Sequence, residues 1–233
     1  MNYVTACGFP SPAYSLTMMF LVIYPVAVLL LSLWRAGRAG SISASVVPMA
    51  LVPLFVGVAA SWWQTLRVIE GISLVGSGRY ATAAGVAETF LTLAYASSVA
   101  AVLCGVALVS ALRHRAAASD GEPVSVLTRI AGVALPSLFF ACVTLLWIVA
   151  RGLVAGSLPA TRWVQAVVLG GAAASLGGAL LSVVWLIASR GLAGLCFGAW
   201  RRSLALSSAV ATGVTAWVTW QIVYGFAAIA AGP

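Results

Sequence analysis

Residues 83–112 read AAGVAETFLTLAYASSVAAVLCGVALVSAL, thirty residues with a single charge, Glu88. A helix needs about 20 apolar residues to cross a bilayer, so this run is long enough. A helix buried in a soluble core is the alternative, and the rest of the chain excludes it. Of 233 residues, 63% are hydrophobic and only 7% charged, and the mean hydropathy is +1.10. A soluble domain is about a quarter charged. So little polar surface could not cover a globule in water. Composition therefore excludes a soluble enzyme, a disordered chain and a secreted disulfide scaffold.

Working outward, five more apolar runs accompany the first, giving spans near 14–34, 45–66, 83–112, 129–150, 163–188 and 203–230. Lipid offers no water to free backbone groups, so each must be helical. The expected fold is an all-α, polytopic transmembrane helix bundle of about six spans, a single integral membrane domain over 1–233. The third, fifth and sixth runs are long enough to tilt or project from the hydrocarbon. The first 13 residues carry no charged side chain, so the first run is expected to stay as a span and not to be cleaved as a secretory signal.

Arginine placement orients the bundle. With the N-terminus outside, the inner loops hold Arg35, Arg38, Arg113, Arg115, Arg129, Arg190, Arg201 and Arg202. The outer loops then hold only Arg67, Arg79, Arg151 and Arg162. Cytoplasmic loops carry the excess of positive charge, which gives N-out/C-out. The net charge of +8 is scattered between apolar runs with no basic stripe, so nucleic acid is not an expected partner. The bilayer is. Trp34, Trp62, Trp63, Trp147, Trp163, Trp185 and Trp200 fall near run ends and read as interface anchors, whereas Trp217 and Trp220 fall mid-span and are expected to pack on protein.

Two internal patterns bear on assembly. Aligning 51–67 with 135–151 matches Leu51/Leu135, Leu54/Leu138, Phe55/Phe139, Trp63/Trp147 and Arg67/Arg151. This raises a helical-hairpin repeat, 45–112 and 129–188, in parallel orientation. Small residues at four-residue spacing allow close helix approach: Gly171/Ser175 and Ala174/Gly178 in the fifth span, Ala209/Gly213 in the sixth.

Chemistry-bearing residues are few. Cys7, Cys104, Cys142 and Cys196 match no metal spacing, and His114, between two arginines, reads as headgroup-facing. No nucleophile–base pair, phosphate loop or HExxH motif occurs. Neither an enzyme activity, a metal nor a cofactor is expected. Asp120 and Glu122 read as solvated turn residues, and Glu70 as a surface partner of Arg67. Glu88 differs, because a carboxylate within a span is costly unless protonated, paired or hydrated. Glu88, Thr92 and Tyr95 recur at i, i+4 and i+7 and so share a helix face, a stripe that could line an ion pathway. An interfacial Glu88 at the outer helix start, or a pairing with Arg67 or Arg79, stays open beside it.

Leu51-Val52-Pro53-Leu54-Phe55-Val56-Gly57-Val58 followed by Gly85-Val86-Ala87-Glu88-Thr89-Phe90-Leu91-Thr92-Leu93-Ala94 resembles the paired pore helices of the MotA/TolQ/ExbB proton-channel family. Glu88 falls on the family's acidic position, while the threonine expected five residues later is Leu93, with Thr92 one position early. The family's large cytoplasmic domain is replaced by further apolar spans. The resemblance implies an ion-motive subunit of an inner-membrane motor complex, oligomeric around ExbD/TolR/MotB-like single-span partners, with Glu88, Thr92 and Tyr95 on the ion pathway. A non-conducting structural subunit of a multi-subunit membrane complex, or a small-solute transport protein, are the competing expectations.

Overall fold

The computed structural model describes residues 16–17, 19–28, 30, 46–75, 78–113, 126–159, 161–191 and 198–232. A short apolar helix, α1 (Met19–Val28), precedes five long ones. These are α2 (Val46–Val75), α3 (Arg79–Arg113), α4 (Val126–Val154), α5 (Arg162–Gly191) and α6 (Gly198–Ala231). All five are long and apolar enough to cross a membrane. The run at 14–34 lies partly outside the described residues.

The helices outrun the apolar stretches that announce them. The second was expected to stop at 66, yet α2 continues through Arg67 and Glu70 to Val75. A charge ends a hydrophobic run without ending a helix, because the intrahelical hydrogen bonds are indifferent to it. The expected outer loop 67–79 is thus mostly helix. α4 stops at a true terminator. Gly156 adopts φ +68°, its N–H donates to Leu153 O, and Ser157 N–H donates to Gly152 O. That is a Schellman closure, and a left-handed residue there favours glycine.

The α2–α3, α2–α5 and α3–α6 pairs pack antiparallel. α3 lies along α2 from the Gly57–Ala96 contact through Gln64–Thr92 to Val68–Gly85. α5 lies along α2's other side, with Gly171 against Trp62 and Gly178 against Phe55. α6 packs along α3 from Cys104–Thr212 through Ser97–Thr219 to Phe90–Phe226. α4 leans on α5 and also touches α2 and α3. Phe55 and Phe139, matched positions of the internal alignment, meet edge to face at 5.9 Å. α2 is the most enclosed helix and α6 the least.

Pro53 breaks α2 locally, and α1 answers the break. Proline has no N–H, so the carbonyl four residues earlier, on Met49, loses its intrahelical donor. The Tyr24 hydroxyl of α1 donates to that carbonyl at 2.8 Å.

Candidate functional site: the open face of α3

α3 buries hydroxyls on two sides and leaves a third side bare. Toward α2, Ser61 Oγ donates to Gly57 O and reaches Thr89 O at 2.9 Å across the seam. Beside it, the Gln64 carboxamide and Thr92 Oγ1 hydrogen-bond at 3.1 Å. Toward α6, Ser97 and Thr219 share a hydrogen bond of 3.1 Å, and Trp220 Nε1 donates to Ser98 Oγ at 3.2 Å. Most of these hydroxyls also bond a carbonyl one turn back, as Thr89 does to Gly85 O. That is how a hydroxyl is tolerated within an apolar span.

The stripe Glu88, Thr92, Tyr95 divides between these surroundings. Glu88 and Tyr95 are exposed, Tyr95 at 48%, whereas Thr92 is wholly buried against α2. At 100° per residue, Thr92 and Tyr95 diverge by about 60°, enough to turn one into the α2 seam and the other away from it. Tyr95 instead lies edge-on to Trp220 at 5.7 Å. Glu88 forms no hydrogen bond or ion pair among the described residues.

Its depth follows from its neighbours. Glu88 stands about 14 Å from the start of α3, between the Gln64–Thr92 and Val68–Gly85 contacts. That is the height of Arg67, and helical geometry puts both on the same side of the α2–α3 hairpin, the side away from α5 and α6. The described charged side chains, Arg67, Glu70, Arg79, Glu88, Arg151 and Arg162, are all exposed and all lie toward this one end of the bundle. Glu88 is the innermost of them on α3, about 9 Å from the middle of the Arg79–Val109 span. Arg67 and Glu70 form no ion pair, nor do Arg79 and Glu88. Arg151 lies over the Trp147 ring at 5.4 Å.

The tryptophans sort differently from expectation. Trp63 and Trp163 are exposed at this charged end and Trp147 is half-buried there. Trp62, expected at an interface, is wholly enclosed against Gly171, because neighbouring residues on a helix point 100° apart and only Trp63 faces out. Trp185 is also buried, and the indole N–H groups of both lack a partner among the described residues. Trp217, expected to pack on protein, is 65% exposed. Trp34, and the side chain of Trp200, lie outside the described residues.

On α5, Gly171, Ser175 and Gly178 form the face against α2. A Cβ at Gly171 would collide with Trp62, and one at Gly178 with Phe55. On α6, a Cβ at Gly213 would meet open space and Ala209 is half-buried, so α3 is held by the buried Thr212, Thr215 and Thr219 instead. The Gln64–Thr92 and Ser97–Thr219 pairs escaped the sequence reading. Their signal was available only as polar residues on spans, without the register that pairs them.

No protein family, no curated protein and no solved structure matches the chain. Among the described residues no three His, Cys, Asp or Glu side chains group as a metal site.

Proposed function

We propose that this chain is a multi-pass subunit of an ion-driven motor or channel complex in a bacterial inner membrane. Its termini face outward, and the α2–α3 hairpin is its working element. The observation that carries the reading is Glu88. An unpaired carboxylate sits on the bare face of a membrane-spanning helix, at the arginine-bearing end where water can hydrate it. It is placed to take up a proton or cation from the outer side. Tyr95 and Ser98 continue the polar face inward by about 15 Å, after which Val102, Gly105 and Val109 are apolar or without side chain. Any ion path beyond Ser98 therefore needs groups from a further helix, as the resemblance to the MotA/TolQ/ExbB family implies with its single-span partners.

A second reading has its own observation. Thr92 is spent on Gln64 and does not join Glu88, which favours a non-conducting structural subunit. Proton flux into vesicles carrying the assembled complex separates the two. The motor reading expects flux that Glu88→Gln and Glu88→Ala both remove. Undiminished flux in both variants would take Glu88 out of the mechanism.

A further inference from the structure

α3 and α6 each carry an uncovered seam. On α3, Glu88, Leu91, Tyr95, Val102 and Val109 follow a three-and-four spacing on the side turned away from α2, where α6 reaches the edge through Trp220 against Tyr95 and Ser98. On α6, Val210, Val214, Trp217, Gln221, Tyr224 and Ala228 follow the same spacing and are all exposed. They lie opposite the Thr212–Thr215–Thr219 row that holds α3. This is the spacing a helix presents to another crossing it at a shallow angle. The apolar members could face lipid at no cost, but polar groups near the middle of the spans could not. The Tyr95 hydroxyl and the Gln221 carboxamide have no hydrogen bond among the described residues, and hydrocarbon supplies none.

Their heights match. The Phe90–Phe226, Ser97–Thr219 and Cys104–Thr212 contacts fix which residues of α3 and α6 stand level. By that register Tyr95 is level with Gln221, and Val102 with Val214. Copies related by rotation about the bilayer normal keep every residue at its own height. Where α3 of one copy meets α6 of the next, Tyr95 therefore meets Gln221. An α3–α3 contact would instead bring two Glu88 carboxylates together, and like charges at close range repel.

We infer that the open seam of α3 is filled by α6 of a second copy of this chain, packed antiparallel, with Tyr95 and Gln221 hydrogen-bonded across it. The two seams lie on different sides of the protomer, so the contact is head-to-tail. The inference rests on the reading above only in that the chain is a subunit of a complex, and it needs no ion flow.

Cross-linking tests it. Val102→Cys is placed in one tagged full-length chain and Val214→Cys in a differently tagged one, with Cys7, Cys104, Cys142 and Cys196 replaced. The two are co-expressed and oxidised in membranes. A disulfide between the tagged chains is expected. None is expected for Val102→Cys with Tyr224→Cys, whose partner stands about 15 Å away along α6. A Val102→Cys homodimer would put α3 on α3 and overturn the inference. So would the absence of any cross-link in variants that retain the parent's melting temperature, since the seam would then face lipid or another protein. Gln221→Leu is expected to shift the assembly toward monomer in native mass spectrometry, and an unchanged distribution would overturn the Tyr95–Gln221 bond. Loss of the flux described above alongside intact cross-linking would reject conduction and leave the seam standing.

Discussion

The seam between α2 and α5 and the bare face of α3 are built on opposite plans. In the first, two aromatics, Trp62 and Phe55, enter spaces that only glycine leaves open, at Gly171 and Gly178. Shape does the work: the Ser175 hydroxyl bonds back to Gly171 O within α5, and the Trp62 indole N–H has no partner among the described residues. In the second, little is filled. The unpaired Glu88 carboxylate and the Tyr95 phenol are exposed, Tyr95 lying against the edge of Trp220, on a helix whose other sides are closed. Lipid is as apolar as leucine, so helices in a membrane associate through packing and hydrogen bonds and not through water exclusion. The α2–α5 seam is complete by that standard, and the α3 face is not. The first is scaffold, and the second is the face that we propose another copy covers.

The largest effect tests the closed seam. Trp62→Ala empties a fully enclosed site and is expected to cost about 3–5 kcal/mol, read as a lowered melting temperature in detergent, with Glu88-dependent flux falling only as the folded fraction falls. A melting temperature near the parent's would mean that α2 and α5 do not depend on this contact. Gly178→Val overfills the same seam from the other side and is expected to cost about 1–3 kcal/mol in the same measurement. Combined with Phe55→Ala, which removes the obstructing ring, its cost should shrink, and an additive loss would place the clash elsewhere.

These seams also show what the amino-acid sequence carries. The five long helices are legible from apolar run length, since lipid forces helix on any such run. The small residues Gly171, Ser175 and Gly178 are legible as a face because their spacing matches the helix period. What the spacing does not carry is the occupant. Nothing in the sequence says that Trp62 and Phe55 fill that face, or that Trp62 turns in while Trp63 turns out, because azimuth is fixed only by the neighbouring helix. The Glu88 stripe splits for the same reason. A separation of about 60° between Thr92 and Tyr95 is invisible until α2 and α6 are in place.

A smaller effect probes the hydrogen-bonded side of α3. Ser97→Ala removes the bond to Thr219, and an interhelical bond of this kind is worth about 0.6 kcal/mol in a membrane. Ser97→Ala and Thr219→Val should therefore be non-additive in a double-mutant cycle on thermal stability. Full additivity would show that the two hydroxyls act separately. The smallest effect on stability is expected at Glu88. Glu88→Gln touches no described partner and should leave the melting temperature unchanged while removing flux. A large destabilisation would show that the carboxylate is structural and that its partner lies within the chain.

Whether protein or lipid covers the bare face of α3 can be measured directly. A nitroxide at Val102 is compared with one at Leu180 of α5, itself 68% exposed, by oxygen accessibility in native membranes. The account predicts that Val102 is shielded from oxygen while Leu180 is open to it. Equal, lipid-like accessibility at both positions would contradict it.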